Sequence, residues 1–555
     1  MKLIPYGIAD YKEIVESEFY FVDKTHKIPL LEKAGRYLMF LRPRRFGKSL
    51  LISYLAYYYD IYYKDYGLYK GTFIGQNPTK EAHSYHILRF NFSAISIEDV
   101  EYYFKHHITN QLKFFINKYN LNIKIEKYPK ATLENIFKYF SENKDKKLYI
   151  LIDEYDHFAN RLLIQNENEY KNMITDKTAF FKEFFTILKS ATDSENSPLK
   201  RLFITGVTPM TMYDVTSGFN IGQNISLKKE FNDLVGFNEE ETNKILEYYK
   251  IDIDKNILKE WYNNYQFNKD VNYKVYNSDM ILYLINNYEN NHLPDEMIDI
   301  NLRSDYSKLR YLIYTDKKLN GNFRILQSLV TGEDITITNL VQDFSALTLT
   351  KSENFVSLLF YLGLVTIKEY DFDYSLTIPN ETIKRIDSEY IAISLKYENI
   401  FEIDTYKLSQ LFKKFALEGD IEVFKYLAEE IKNNTSIRDY IDRENNIKMM
   451  YVTYFSLVPY FLTKTELELN KGFADLFIKP FYEKVKYFGI VEIKYIPRSE
   501  KLKSKHLKQL KEEAINQLNQ YQKDELVTEW INKGKKLIKI YMIFYGWELK
   551  DIEIV

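Results

Sequence analysis

At 555 residues the chain is too long for one hydrophobic core, so three or four domains are expected. A net charge of −2 excludes a globally basic nucleic-acid coat, and the absence of cysteine excludes disulfides, thiol catalysis and cysteine-bound zinc. The 50 Tyr and 38 Phe, beside only 12 Pro and 18 Gly, could form base-stacking surfaces, but packing of cores is the plainer use.

The opening MKLIPYGIADYKEI has no apolar stretch of the kind that begins a secretory leader. The apolar run from Phe355 to Ile367 is too short to span a bilayer. A cytoplasmic setting with no membrane partner is therefore expected. From Tyr37 the chain reads as a buried strand (YLMFL), a loop (RPRRFGKS) and an apolar helix (LLISYLAYYY). Further apolar strands are expected at HILRFNFSAI, KKLYILIDEYD and RLFITGVTPM, separated by long helical segments. Continuous apolar strands of this kind suit a parallel sheet covered on both faces, an α/β architecture. Near Gly236 the pattern turns helical, with Asn238 and Glu241 spaced as a capping box. NFVSLLFYLGLVTIKEYDFDYSLTIPN reads as a helix and a hairpin, as in a winged-helix module. Beyond about residue 461, ADLFIKP and FGIVEIKYI read as two strands before a Lys-rich helix, a compact αββα unit.

Gly47-Lys48-Ser49 follow a buried strand and open a helix, the setting a phosphate-binding loop needs. Backbone N–H groups at the helix N-terminus, by Phe46 and Gly47, would cradle phosphates, Lys48 would neutralise them, and Ser49 would reach Mg²⁺, while Arg44 and Arg45 lie within phosphate reach and read equally as stabilisers of γ-phosphate charge or as solvated loop arginines. Arg42 stands where the usual loop begins with glycine. About a hundred residues on, LYILID ends in Asp153-Glu154, a Walker B arrangement. There Asp153 would hold the magnesium shell and Glu154 would orient or deprotonate the attacking water. Thr205, ending the strand RLFIT, is placed to sense the γ-phosphate through its hydroxyl. ATP and Mg²⁺ are thus the expected cofactors. Near the C-terminal end, Asp475 and the Glu492-Ile493-Lys494 triplet lie on neighbouring strands. The two-residue period puts Glu492 and Lys494 on one face, and a hairpin can bring Asp475 opposite. Two converging carboxylates suit Mg²⁺, with Lys494 activating water beside a scissile phosphate. Lys494, Arg498, Lys501, Lys503, Lys505, Lys508 and Lys511 form a basic run that reads equally as a phosphate contact or a solvated face.

Taken in order, FVDKT (21–25), RPRRFGKSL, LIDEYD, FITGV and GFNEEE resemble the bacterial AAA-ATPase-like family that carries a C-terminal PD-(D/E)XK domain. WYNNYQF (261–267), VYNSD, and SLLFYLGLVTI followed by IPNE fit the same family, over nearly the whole chain. That family's phosphate loop reads RPRRFGKS, which makes Arg42 typical of it. The resemblance implies a P-loop ATPase core (1–232), a helical lid and winged-helix-like region (233–400), and a helical linker with a nuclease-like α/β domain (401–555). It also implies a nucleic-acid partner, DNA first, and allows a homo-oligomer. ELNKGFAD resembles the family's E-x-G-x-G-R-x-D stretch, which adds Glu468 to Asp475 and Glu492 as expected metal ligands. Gln517 and Tyr521 match its trailing Gln-x-x-x-Tyr. Asn470 replaces the first glycine, and Phe473 replaces the arginine. The competing expectation is a signalling or assembly ATPase whose C-terminal domain is a catalytically degenerate binding module.

Overall fold

The computed structural model describes residues 1–175, 180–192, 197–215, 221–290, 292–305, 321–434, 436–437, 441 and 443–555. The chain forms two units, Met1–Lys308 with Ile337–Tyr374, and Leu309–Thr336 with Ser375–Val555. The sequence pattern divides the chain at 232/233 and 400/401, whereas these units divide it at 308/309, 336/337 and 374/375.

In the first unit, strands β1 (Tyr37–Leu41), β2 (His86–Asn91), β3 (Leu148–Asp153), β4 (Leu199–Gly206) and β5 (Gln223–Asn224) form one parallel sheet. Their order is β2-β3-β4-β1-β5. Every residue of β3 is buried, as a strand covered on both faces requires. The order sets β4 between β1 and β3, so three strand ends converge at the carboxyl edge, where open α/β sheets bind ligands. The aromatic excess goes largely into cores. Phe92 alone packs against Phe104, Phe158, Phe181 and Phe184 at centroid separations of 5.4–6.1 Å.

The capping box forms as expected. The Asn238 side chain accepts from the Glu241 N–H, and the Glu241 carboxylate accepts from the Asn238 N–H, opening helix Glu239–Tyr249. Strand β6 (Ile335–Ile337) precedes helix Ser352–Leu362, and strands β7 (Thr366–Tyr370) and β8 (Tyr374–Thr377) follow it, the helix-then-strands order expected there.

The second unit departs from the expected αββα arrangement. Its sheet has five strands: β9 (Phe461–Leu469), β10 (Gly472–Pro480), β11 (Tyr487–Ile496), β12 (Lys536–Tyr545) and β13 (Glu548–Ile554), in the order β13-β12-β11-β10-β9. Helix Ser504–Tyr521 links β11 to β12, which pair in parallel; the other neighbours are antiparallel. The expected pair is β10 and β11 alone. β9 escapes notice because Lys464, Thr465 and Glu466 interrupt its apolar positions, and five of its nine residues are exposed or partly exposed. Helix Glu444–Ser456 packs against β9, β10 and β11.

Candidate functional site

The loop after β1 is fixed by its own residues. Gly47 caps helix Lys48–Tyr59 with φ 95°, and Arg45 has φ 69°. The first of these suits glycine, whose missing Cβ removes the penalty. Arg42, where glycine is usual, is not among the loop's left-handed residues, so its side chain costs no backbone strain. Its buried guanidinium donates to the carbonyls of Leu41 (2.9 Å), Ser226 (2.7 Å) and Phe231 (2.8 Å) and stacks on Phe40 and Phe267. Burial pulls its pKa down to about 9. Arg42→Gly, which restores the usual loop, should therefore destabilise the first unit by about 3 kcal/mol or more, because three carbonyls lose their donor. A thermal melt should show that unit's transition lowered by about 5 °C.

Lys48 is buried, and its ammonium donates to the carbonyls of Arg42 (2.9 Å) and Pro43 (2.8 Å). Burial holds it below the usual lysine pKa. The Phe46 ring is a core group, edge-on to Tyr265 and Phe267, so only the backbone of Phe46 is offered to a ligand. Its carbonyl accepts from Gly236 N at 2.9 Å. Gly236 has φ 77°, and a Cβ there would lie 3.0 Å from the Phe46 ring. One residue earlier, the Arg45 carbonyl accepts from Asp279 N (3.3 Å) and Ser278 Oγ (3.4 Å), and the Arg45 guanidinium meets Asp279 at 3.5 Å.

These residues line a cavity of about 360 Å³ that takes in Arg44 to Ser49, Glu154 and His157. Its apolar wall comes from Phe21, Tyr54, Val235, Phe237, Ile245 and Leu282. Glu154 has φ 50°, which turns its side chain off the line of β3, and its carboxylate lies 3.1 Å from His157 Nδ1. Burial pushes its pKa up, but the His157 hydrogen bond and the charges of Lys48, His157 and Arg44 outweigh this and hold it at about 2. Asp153 is fully buried. Its Oδ1 accepts from Thr205 Oγ1 at 2.7 Å, while Oδ2 has no hydrogen-bond donor among the described residues. The Thr205 hydroxyl is engaged by Asp153, a tie between β4 and β3.

Two groups here have structural roles that the sequence does not assign. Asp156 Oδ2 accepts from Asn160 Nδ2 and from the N–H and hydroxyl of Thr208, clamping the end of β3 to the exit of β4. Lys24, in the FVDKT stretch, donates to the Asp233 carbonyl (3.0 Å) and to both Glu241 oxygens (2.9 and 2.7 Å). Asp23 accepts from Thr25 and from Phe73 N. The stretch therefore pins the N-terminal wall of the cavity to the capping box of the following helix.

In the second unit the β10–β11 ladder pairs Ile478 with Gly489, Phe477 with Ile490 and Leu476 with Val491. Asp475 and Glu492 come next in that register, as the hairpin argument expects. Asp475 Oδ2 accepts from Ile493 N at 2.6 Å, and Lys494 donates to Glu492 Oε1 at 2.8 Å. Glu492 is 2% exposed, and its Oε2 has no hydrogen-bond donor among the described residues. Burial raises the pKa of both carboxyls, and for Glu492 the Asp475 charge adds to it.

Glu468 does not join them. It is exposed and pairs with Phe473, and the register puts Glu466 opposite Asp475 instead. Glu466 and Glu468 share one face of β9, so the ladder register alone decides which of them meets Asp475. Among the described residues no group of three or more His, Cys, Asp or Glu converges closely enough to hold a metal ion by itself. What sequence reasoning missed is a cation. Lys448, on helix Glu444–Ser456, contacts Asp475 Oδ1 and lies 2.5 Å from Glu466 and 3.0 Å from Glu444. A lone lysine in the apolar run IKMMYVTYF was the available signal.

The neighbouring motif residues have physical reasons. Asn470 (φ 47°) and Lys471 (φ 69°) form the left-handed two-residue turn between β9 and β10. Asparagine tolerates that conformation better than other side chains, so it can stand in for glycine. Tyr521 donates to the Phe473 carbonyl (2.8 Å), and a Cβ on Gly472 would lie 2.7 Å from its ring. The Phe473 ring is 57% exposed. The basic run splits. Arg498 pairs with Glu548 and Lys511 with Glu553, whereas Lys501, Lys503, Lys505 and Lys508 are exposed.

A parallel sheet with a phosphate-loop helix in one unit, and a mixed sheet carrying paired carboxylates and a lysine in the other, define two domain classes. Residues 5–216 match the family described as Predicted AAA-ATPase, and residues 442–553 match the PD-(D/E)XK nuclease superfamily. The chain therefore joins an AAA-like ATPase domain to a nuclease-superfamily domain. It is similar to an uncharacterized protein in the vnfD 5′ region of Azotobacter chroococcum mcd 1, with 24% identity over 279 residues, 50% of this chain and 51% of that one. The chain thus spans about half the length of that curated relative. Among solved structures, the Aeropyrum pernix ORC2 protein matches with a TM-score of 0.32 and 11% identity, covering 67% of this chain and 92% of its own. Cdc6p from Pyrobaculum aerophilum matches with a TM-score of 0.25 and 12% identity, covering 70% and 98%. Among the described residues no helix is long and apolar enough to cross a membrane.

Proposed function

We propose that the chain binds and hydrolyses ATP in its first unit and cleaves nucleic acid, DNA first, in its second, each with Mg²⁺. One observation carries the reading: at each motif position a buried carboxylate keeps an oxygen with no donor, Asp153 Oδ2 and Glu492 Oε2. A buried carboxylate left this way is costly unless a cation meets it. Ser49 and Asp153 would hold the ion in the first site, and Glu492 with Asp475 in the second; both are hard oxygen donors that fit magnesium. When bound, the ion neutralises charge on phosphate oxygens.

In the first site the loop amides and Lys48 bind phosphate, and Glu154, held ionised, orients water or takes its proton. Arg44 and Arg45 add positive charge at the mouth of the cavity, and the apolar wall excludes water from the reaction. In the second, Lys494 positions water beside the phosphodiester, while the exposed lysines of helix Ser504–Tyr521 and its approach attract the backbone. The setting is cytoplasmic, with mobile-element control or defence as the biological context and a homo-oligomer as the working form. The exposed Phe473 ring, in place of an arginine, favours a second reading in which the C-terminal domain binds without cutting and ATP drives assembly.

Incubation of the purified chain with duplex DNA, single-stranded DNA and RNA in Mg²⁺, with and without ATP, tests the proposal. Wild type should cleave, and Lys48→Ala should lose ATP binding by about 100-fold, since it removes a charged phosphate contact worth about 3 kcal/mol. Absence of cleavage under every condition, with ATP-dependent assembly that Lys48→Ala abolishes, would move the assignment to the assembly reading.

A further inference from the structure

The carboxylate face of the C-terminal sheet holds a cation of its own. The Lys448 side chain is 5% exposed, and its ammonium touches Asp475, Glu466 and Glu444. Glu444 lies one helical turn before it, on the same helix face. Asp475 is occupied on both sides, Oδ1 by Lys448 and Oδ2 by Ile493 N. Glu492 differs: Lys494 holds one oxygen, and the other has no donor among the described residues.

We propose that the Lys448 ammonium takes the place of one divalent cation on this face, so that the C-terminal site binds a single metal ion, seated on the Glu492 side. This rests on the Mg²⁺-dependent nuclease reading above. Charge supports it. With Asp475 and Glu492 ionised, as a bound cation would keep them, Glu444, Glu466, Asp475 and Glu492 face Lys448 and Lys494, which leaves an excess of two negative charges, what one divalent ion neutralises. Position supports it too. Lys448 belongs to a helix packed on β9, β10 and β11, and withdrawing it would leave Asp475 buried and short of a partner. Lys448 is therefore a fixed positioning residue, standing beside the reacting atoms and leaving the attack on phosphate to other groups.

Titration with Mn²⁺ of the nucleotide-free full chain carrying Asp153→Asn throughout, which removes the ion proposed for the first unit so that wild type below means wild type at 448, followed by calorimetry and by electron paramagnetic resonance, tests the count at the C-terminal site. Wild type should bind one ion per chain, Lys448→Met two with at least ten-fold tighter binding, and Lys448→Arg, which keeps the charge, one. Lys448→Met should also melt lower in EDTA and recover with Mn²⁺. Equal stoichiometry and affinity for wild type and Lys448→Met, with binding lost in Glu492→Gln, would overturn the role of Lys448 and leave the metal-dependent reading standing. Two ions on wild type or on Lys448→Arg would also overturn it. No Mn²⁺ on any variant would overturn both. If Lys448→Met does not fold, the wild-type and Lys448→Arg counts decide, one ion supporting the proposal and two refuting it.

Discussion

Glu154→Gln should bind ATP as the wild type does while hydrolysing it about 10²–10⁴ times more slowly. The expectation follows from position and charge. Glu154 lies at the carboxyl edge of β3 with a left-handed backbone, lines the cavity shared by Arg44 to Ser49, and is held anionic to about pH 2. Glutamine keeps the shape and a hydrogen-bond partner for His157 but cannot take a proton. Because the carboxylate stays charged far below neutrality, any fall of turnover between pH 7 and pH 5 must come from a different group. Single-turnover hydrolysis beside an equilibrium measurement of ATP affinity separates the two quantities. A variant that loses affinity and rate together would show that Glu154 serves the shape of the site rather than its chemistry.

Glu492→Gln should do two opposite things to the second unit: lower cleavage by about 10²–10³-fold and stabilise the fold in metal-free buffer by about 1–2 kcal/mol at pH 8. Burial raises the pKa of this carboxyl above its ordinary 4.5. Between that value and the raised one, the folded chain therefore holds a proton that the unfolded chain has already lost. Stability falls as pH rises through the window, because the native state must then bury a charge. Below pH 4.5 both states are protonated and the substitution should change little. Thermal melts in EDTA at pH 4 and pH 8, repeated with Mn²⁺, read this directly. The stabilisation should disappear when metal is present, since only the wild type gains from binding it. Equal melting temperatures at pH 8 in EDTA would mean that Glu492 is solvated in solution.

Local pattern and long-range contact were unequally visible in the chain. YLMFL, LYILID and RLFITG could be read as strands because buried parallel strands are nearly all apolar, and the Gly47–Ser49 helix start follows from the loop chemistry. Asp475, Glu492 and Lys494 could be placed together because a two-residue period and a short hairpin leave little choice of register. Glu468 was misplaced by motif spacing, since spacing along one strand does not say which residue its neighbour presents across the ladder. KLIKIYMIFY is itself a strongly apolar strand, but its parallel pairing with β11 spans the helices between them and leaves no local signal in the sequence. Lys448 and Lys24 lay beyond local reasoning altogether. Lys24 meets Glu241 across 217 residues of sequence, and no periodicity encodes such a meeting. Arg42 was legible only as an exception, and its reason appeared once Ser226 and Phe231 were seen around its guanidinium.

The carbonyls of Arg45 and Phe46 have a consequence for how the first unit could move. They are the anchor points of two chain segments, at Gly236 and at Ser278–Asp279, more than 180 residues further along. The loop after β1 is thus tethered rather than free-standing, and a displacement of its crest would pull on both segments at once. Both also border the cavity, so whatever fills it is felt by the loop and by its distant anchors as one mechanical event.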